Sequence, residues 1–279
     1  MSELDPDVVD EAVRRALAED LGAGGDVTTT ATVDPGTLGT AQLVSRQHGV
    51  LAGLPVAAHA FAVVGQGRVV MELGSADGAR VEPGELLATV RGPMRDLLTA
   101  ERTALNFLGH LSGVASLTRR WVDAVEGTGA RIRDTRKTLP GLRVLEKYAV
   151  VCGGGLNHRM SLSDAALVKD NHVVAAGGVV PAFERVRAAH PGLTIEIEVD
   201  TLAQAREVID AGADLVLLDN MDLADMRAAV EYAAGRARLE ASGGLALENA
   251  RAVAETGVDY LSIGALTHSA PVLDIGLDI

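Results

Sequence analysis

The chain has one cysteine, few aromatic residues and no long uninterrupted hydrophobic run. Because Cys152 is the only cysteine, no disulfide can form within the chain, and a reducing compartment such as the cytoplasm is the simplest expectation. The longest apolar tract, 50–64, contains Gly53, Pro55 and His59 and is too short to span a bilayer. The first residues, MSELDPDVVDEA, are acidic and lack an apolar core, so a signal peptide is not expected. We therefore predict a soluble, cytoplasmic protein.

Positive charge is also scarce. The chain has 25 Lys and Arg residues against 38 Asp and Glu residues, for a formal net charge of -13. Nucleic acids and anionic membranes are bound by broad basic surfaces, so this balance argues against both as partners. Aromatic residues make up 3% of the chain and hydrophobic residues 48%, with 31 glycines. That composition is typical of tightly packed layers of helices and strands.

Several familiar catalytic motifs are missing. The sequence has no cluster of His and Cys at zinc-binding spacing, no GxSxG and no GxxxxGKS/T. Chemistry based on zinc, on a serine nucleophile or on a P-loop is therefore not indicated.

What the sequence does contain is a basic segment inside an acidic chain. Between Arg131 and Lys169 there are eight Lys and Arg residues and one histidine, against three acids. Scattered surface charge would follow the acidic average of the chain, so this local excess predicts a pocket that binds an anion. The expected ligand is a polyanionic small molecule.

The N-terminal region has the pattern of an α+β domain. Asp5 followed by Pro6 predicts the N-cap and first turn of a helix that ends near Gly22. Residues 40–90 are mostly strand-like, with a further helix predicted at 55–64.

Two helices are predicted next, over 94–126, with a break at Ser112 and Gly113. Three polar residues recur every four positions on the first of them and share one face, which is either functional or simply solvated. These residues are Arg102, Asn106 and His110.

Beyond Arg131, six short apolar runs alternate with helical patterns, which predicts parallel strands. A closed barrel needs eight strands, so we predict an incomplete TIM-like α/β barrel of six to seven strands, with a doubly wound open sheet as the alternative. The N-terminal α+β sandwich domain then covers 1–115 and the barrel 116–267, and the tail 268–279 packs back on the first domain. The six runs are RIRDT, AALVKD, TIEIEVD, DLVLLDN, RLEASGG and YLSIGAL.

Cationic residues lie at or near the ends of the first two runs. The C-terminal ends of parallel barrel strands meet on one face, where barrel active sites are built. Each cation alone is more often an ordinary surface charge, but together they suit a ligand with carboxylate and phosphate groups. The candidates are Arg136, Lys137, His158, Arg159 and Lys169.

Glycines end the last two runs. Ser242 and Gly243 follow one strand and Gly264 the other. Backbone N–H groups at these positions of a barrel bind phosphate, although simple turns would explain the glycines equally well.

Acidic residues end the two middle runs. Glu198 and Asp219 would point to the same mouth and could bind ribose hydroxyls or Mg²⁺. Glu196 shares a strand face with Glu198, which is costly unless that face is polar, metal-bound or paired. A structural ion network inside the barrel is therefore an alternative.

Longer motifs run through nearly the whole chain, beginning with DVTT at Asp26–Thr29. They continue with ERTALNFLGHLSGVAS, RDTRKTLPGLRVLEKYAV, GGGLNHRMSLSDAALVKDNH, EVD, LLDN, ASGGL and DYLSIGALTHS. With these motifs in this order, the sequence resembles the quinolinate phosphoribosyltransferase family, the decarboxylating nicotinate-nucleotide pyrophosphorylases.

The resemblance implies quinolinate and phosphoribosyl pyrophosphate as substrates, Mg²⁺ as cofactor, and a homodimer in which Arg102 reaches the partner's site; assembly beyond the dimer is left open. It also implies the roles of the other residues. Arg136, His158 and Arg159 would hold quinolinate, and Lys137 and Lys169 would bind the carboxylates and pyrophosphate. Glu198 and Asp219 would bind the ribose and the metal. The 5′-phosphate would be bound by Ser242, Gly243 and Gly264.

Three rival functions are weighed against this one. A nicotinate phosphoribosyltransferase would need cations for one carboxylate only, whereas the surplus of arginines favours a diacid. A barrel lyase or isomerase would use Lys169 as a Schiff-base amine. A non-enzymatic protein that binds a phosphorylated metabolite is the third.

Overall fold

The computed structural model describes residues 4–279. Its helices are α1 (Pro6–Leu21), α2 (Val27–Thr32), α3 (Leu54–Gly65), α4 (Met94–Ala124), α5 (Arg143–Cys152), α6 (Asp170–Ala176), α7 (Val179–Ala189), α8 (Leu202–Asp210), α9 (Leu223–Ala233), α10 (Leu247–Ala254) and α11 (Ala265–His268). Its strands are β1 (Leu38–Ser45), β2 (Gly49–Val50), β3 (Val70–Leu73), β4 (Arg80–Val81), β5 (Leu86–Pro93), β6 (Arg131–Arg133), β7 (Ala166–Val168), β8 (Ile195–Val199), β9 (Leu215–Asp219), β10 (Arg238–Ser242), β11 (Tyr260–Ser262) and β12 (Ile275–Asp278).

The chain divides into two compact units. The first contains the chain up to Arg119 together with Thr138–Gly154 and Ala265–Ile279, and the second contains Arg120–Lys137 and Gly155–Gly264. The segment Thr138–Gly154, inside the predicted barrel range 116–267, thus groups with the first unit. Among the described residues, no helix is long and apolar enough to cross a membrane.

The first unit is the predicted N-terminal α+β region. Its four-stranded antiparallel sheet has the order β12-β1-β5-β3, so the C-terminal strand pairs with β1. Helix α1 begins as the sequence predicts, because the Asp5 carboxylate accepts a hydrogen bond from the Asp7 N–H at 3.0 Å. Its buried face includes Val9, Val13 and Leu17.

The predicted break at Ser112 and Gly113 is wrong, since α4 runs without interruption through 31 residues. The Ser112 hydroxyl is buried and bonds the Ala52 backbone, accepting from its N–H at 3.0 Å. A Cβ on Gly113 would lie 2.1 Å from the carbonyl oxygen of Pro271. The Ser-Gly pair therefore marks close packing against the helix, not its end.

The second unit contains a six-stranded parallel sheet in the order β6-β11-β10-β9-β8-β7, and each of the six predicted strand runs is confirmed. From β7 to β11 the strands stand side by side in chain order, as they do in a barrel, and β6 and β7 are the two edges between which the barrel is open. A doubly wound sheet would have a strand order that reverses direction partway along the chain. The predicted incomplete barrel is confirmed with six strands, and among the described residues it is not closed.

Apolar strand residues build the core of this unit. Val216, Leu218, Ile197, Leu239 and Leu261 are almost fully buried. Burial of one such side chain stabilises the fold by about 1.5–3 kcal/mol, which fixes the strands and leaves their C-terminal ends for function.

Helices start directly after these ends. Thr201 caps α8 by accepting from the Gln204 N–H at 3.3 Å, and Asp222 caps α9 by accepting from the Ala224 and Asp225 N–H groups, both at 2.8 Å. The chain therefore turns sharply within a few residues of Glu198 and Asp219.

Candidate active site

A cavity of about 530 Å³ lies at the C-terminal ends of the barrel strands, wholly within the second unit. Its position agrees with the face on which barrel enzymes place their sites. Its lining consists of Thr135, Arg136, Lys137, His158, Arg159, Leu167, Lys169, Glu198, Leu217, Asp219, Asn220, Glu240, Ser242, Gly243 and Ser262.

Two arginines are the groups of the cavity best suited to bind an anion. The Nε atom of Arg136 is buried and has no hydrogen-bond partner among the described residues. Burial, followed by the charge of Arg136, lowers the pKa of the Arg159 guanidinium. A buried donor without an acceptor and two repelling cations both cost free energy, and an anionic ligand would relieve both.

A lysine and a glutamate of the cavity lining form an ion pair. The Lys169 Nζ lies 3.1 Å from a Glu198 carboxylate oxygen. Burial, followed by the charge of Glu198, raises the pKa of Asp219. The chain has only three lysines, and two of them, Lys137 and Lys169, line this cavity.

The backbone turns where β10 ends. Gly243 has a φ of 82°, and a Cβ there would lie 2.2 Å from the Asn220 Oδ1. The Asn220 side chain in turn donates to the Asp219 carboxylate at 2.8 Å. Gly243 is therefore required by conformation and by space, and it lets the backbone approach a ligand closely.

A buried ion network forms the floor of the cavity. Glu240 is fully buried and accepts hydrogen bonds from Arg133 and from the Ser262 hydroxyl. Glu196 lies 2.6 Å from the Nε2 atom of His158. Glu196, on the costly strand face noted in the sequence, is thus paired through one carboxylate oxygen, while its Oε1 is buried and has no hydrogen-bond partner among the described residues.

The His158 ring has a defined tautomer. Its Nδ1 accepts a hydrogen bond from the Arg159 N–H at 2.7 Å, so the ring proton is on Nε2, where it is donated to Glu196. A protonated Nε2 cannot ligate a metal. His158, Glu196 and Glu240 lie close enough together to hold an ion, but in this arrangement they are a hydrogen-bonded network.

Family models match almost the whole chain. The model of the N-terminal domain of quinolinate phosphoribosyl transferase matches residues 26–112, and that of the C-terminal domain matches residues 114–278. The chain belongs to this family. A nicotinate-nucleotide pyrophosphorylase (carboxylating) of Mycobacterium leprae is 52% identical over 286 residues, covering 100% of both chains.

Other members of the quinolinate phosphoribosyltransferase family agree with this assignment. A tobacco protein named quinolinate phosphoribosyltransferase (decarboxylating) 2b is 39% identical, with 96% of this chain and 81% of the relative covered. The crystal structure of NadC from Streptococcus pyogenes has a TM-score of 0.96 and 41% identity, covering 100% of this chain and 98% of that one.

The structure brings most of the predicted residues together. Nine of the eleven line the cavity. Arg102 lies instead on α4 in the first unit, with 62% of its side chain exposed. Gly264 follows β11 and is not among the lining residues.

Sequence reasoning missed four polar residues of the cavity. These are Thr135, Asn220, Glu240 and Ser262. Glu240 had a signal, because an acid in the middle of an apolar parallel strand must be paired when the strand is buried on both faces. Asn220 had a weaker one, since Asn tolerates the left-handed φ of 53° that it adopts.

The floor of the cavity predicts a pH-dependent stability. Burial raises the pKa of Glu240 from 4.5 to about 7, and the nearby charge of Glu196 adds to this shift. The folded state therefore binds more protons than the unfolded state between these values, so stability is lost as the pH rises through this window. Relative to a Glu240→Gln variant, we expect the unfolding free energy of the wild type to fall by on the order of 2 kcal/mol from pH 4.5 to 8.

Urea denaturation followed through the single tryptophan, Trp121, measures this difference. Glu248→Gln, at an exposed acid in the first turn of α10, is the control and should give a pH profile parallel to that of the wild type. If the unfolding free energy of Glu240→Gln varies with pH in parallel with that of the wild type, the prediction is contradicted.

Proposed function

We propose that this enzyme transfers the 5-phosphoribosyl group of phosphoribosyl pyrophosphate to quinolinate and releases pyrophosphate and CO₂, giving nicotinate mononucleotide. Family membership makes the chain a phosphoribosyltransferase of NAD biosynthesis. The observation that supports the diacid most directly is the pair Arg136 and Arg159, with a buried Nε donor that lacks an acceptor. Cytoplasmic location remains a prediction from the sequence.

The first step needs no general base. The pyridine nitrogen of quinolinate has a lone pair that forms the bond to ribose C1 while the bond from C1 to pyrophosphate breaks. Catalysis then comes from alignment of the two substrates and from charge stabilisation. Lys137 and Lys169 neutralise the departing pyrophosphate, and Glu198 and Asp219 favour the positive charge that develops on the sugar.

The second step uses the product of the first. Once the ring nitrogen is quaternary, the bond to the neighbouring 2-carboxylate breaks, CO₂ leaves, and the electron pair stays on the ring carbon beside the cationic nitrogen. A proton from solvent then completes the mononucleotide. The residues around the carboxylate hold the ring, and no organic cofactor is needed for this step.

The acids of the cavity fit Mg²⁺. Glu198 and Asp219 supply the hard oxygen ligands that this ion prefers, and the raised pKa of Asp219 reflects burial and the Glu198 charge, which a cation would offset. These two residues would hold the ion together with the pyrophosphate oxygens. When bound, Mg²⁺ supplies charge neutralisation of the leaving group.

A Schiff-base lyase is not favoured by the surroundings of Lys169. A Schiff-base lysine reacts as the neutral amine and is activated by desolvation or by neighbouring cations. Lys169 is half-exposed, and its Nζ lies 3.1 Å from the Glu198 carboxylate, so the described residues provide neither desolvation nor a neighbouring cation at this amine.

The assignment of the two arginines is tested by substitution. Arg136→Ala and Arg159→Ala should each weaken quinolinate binding by about 1.5–3 kcal/mol, because a carboxylate loses a charged hydrogen-bond partner. Calorimetric titration with quinolinate measures the effect, with Arg227→Ala at an exposed position of α9 as control. Unchanged quinolinate affinity in both site variants would refute their role.

The active unit is a dimer in which Arg102 acts in the partner's site, supported by its exposure and by the family assignment. Arg102→Ala and Lys169→Ala should each be nearly inactive alone. After subunit exchange, one site of each heterodimer has both wild-type residues, so about a quarter of the wild-type activity should return. Verified exchange without recovery would favour a site completed within one chain.

A further inference from the structure

The two residues that precede Arg159, Asn157 and His158, are hydrogen-bonded to Asp134 at the end of strand β6. Asp134, directly after β6, accepts hydrogen bonds from the His158 N–H at 2.8 Å and from the Asn157 side chain at 2.6 Å. Asp134 is fully buried. These hydrogen bonds hold the backbone at His158, the residue that directly precedes Arg159.

A second hold runs through the His158 ring. The imidazole accepts from the Arg159 N–H through Nδ1 and donates through Nε2 to Glu196, which is 1% exposed. A neutral imidazole has one donor and one acceptor nitrogen, so an acceptor at Nε2 stabilises the tautomer in which Nδ1 carries no proton. Glu196, His158 and the Arg159 backbone thus form one ordered chain of hydrogen bonds.

The Arg159 side chain is oriented from its far end as well. One of its Nη atoms donates to the Ala165 carbonyl at 3.1 Å. The backbone N–H and the guanidinium of Arg159 are thus each held by a hydrogen bond within the protein, and the residue lines the cavity. Loss of either hold would leave the arginine with several conformations, which lowers affinity because order must be restored on binding.

We infer that Glu196 is a positioning residue for Arg159, acting through the tautomer of His158. The inference rests on the proposed function, in which Arg159 binds a quinolinate carboxylate. Glu196 makes no contact with substrate in this account. Its contribution is the hydrogen-bond acceptor at His158 Nε2, and the charge of its carboxylate is not required.

The matched pair Glu196→Gln and Glu196→Leu separates these contributions. Glutamine keeps an oxygen acceptor at nearly the same volume, and leucine removes it. We expect Glu196→Leu to raise the KM for quinolinate about tenfold, the effect of one lost hydrogen bond of about 1.4 kcal/mol, with little change in kcat or in the KM for phosphoribosyl pyrophosphate. Glu196→Gln should remain close to the wild type.

A double-mutant cycle distinguishes positioning from a general loss of structure. In an Arg159→Ala background, Glu196→Leu should raise the quinolinate KM no further, because the residue through which it acts is gone. A tenfold rise in both backgrounds, a fall in kcat with both KM values changed, or a Glu196→Gln variant as impaired as Glu196→Leu would overturn the inference.

Nitrogen-15 spectra of the histidine rings give a readout that does not depend on activity. His158 should be the Nε2–H tautomer in the wild type and in Glu196→Gln, and should lose that preference in Glu196→Leu, with His158→Gln used to assign its signals. An Nδ1–H ring in the wild type would overturn the inference. If the wild type fails to convert quinolinate but the tautomer responds as expected, the proposed function fails while the positioning network stands.

Discussion

Lys169→Ala should lower kcat about 10²- to 10³-fold while changing the KM for either substrate much less. Lys169 lines the cavity with its Nζ 3.1 Å from Glu198, and in the proposed function its charge stabilises the departing pyrophosphate. Negative charge on the leaving group is greatest after the ground state, and a cation that stabilises it acts mainly on turnover.

Steady-state kinetics under saturating Mg²⁺ and both substrates measure this effect. Lys169→Arg should recover part of the loss because the charge remains, and Arg227→Ala provides the control for loss of an exposed cation in the same unit. If Lys169→Ala changes only a Michaelis constant, the lysine contributes plain binding and not stabilisation of the leaving group.

Replacement of quinolinate by nicotinate should lower kcat/KM by at least about 10²-fold. Nicotinate lacks the 2-carboxylate, so a cation at the cavity wall is left without its partner, and breaking a buried charge pair costs about 3–5 kcal/mol. The Arg136 Nε is the clearest such group, since the described protein offers it no acceptor. A monoacid, with one negative charge, would also relieve the mutual repulsion of the two arginines less than a diacid does.

Pyrophosphate release with each pyridine acid at a fixed phosphoribosyl pyrophosphate concentration measures this preference. Arg159→Ala should reduce the difference in kcat/KM between quinolinate and nicotinate, because the variant loses more affinity for the diacid than for the monoacid. Comparable turnover of nicotinate by the wild type would favour the monoacid enzyme, the closest rival considered from the sequence.

The strand pattern was the most predictable part of the fold. In β9, LVLLD is apolar until its last residue, and such a run followed by a cap at Asp222 has few structural alternatives. The continuity of α4 could not be predicted in the same way. Gly113 reads as a helix breaker locally, and only the approach of the Pro271 backbone, distant in sequence, explains why glycine is there.

The charged residues of the candidate site could be predicted from the sequence, but the hydrogen bonds that hold them in place could not. Arg136, Lys137 and Lys169 stand out because cations are unusual at strand ends in an acidic chain. The tautomer of His158 depends on a backbone N–H and a glutamate from another strand, and no sequence pattern specifies that geometry. His158 was predicted to hold quinolinate, and this stays a prediction, although both ring nitrogens are already bonded within the protein.

The central claim is that phosphoribosyl transfer and decarboxylation occur on one substrate at this cavity. The most direct test supplies the purified protein with quinolinate labelled in its 2-carboxylate, phosphoribosyl pyrophosphate and Mg²⁺, and measures labelled CO₂ and pyrophosphate in the same reaction. We expect equal amounts of the two products, with one nicotinate mononucleotide formed for each CO₂ released. Pyrophosphate release without CO₂, or no pyrophosphate at all, would contradict it.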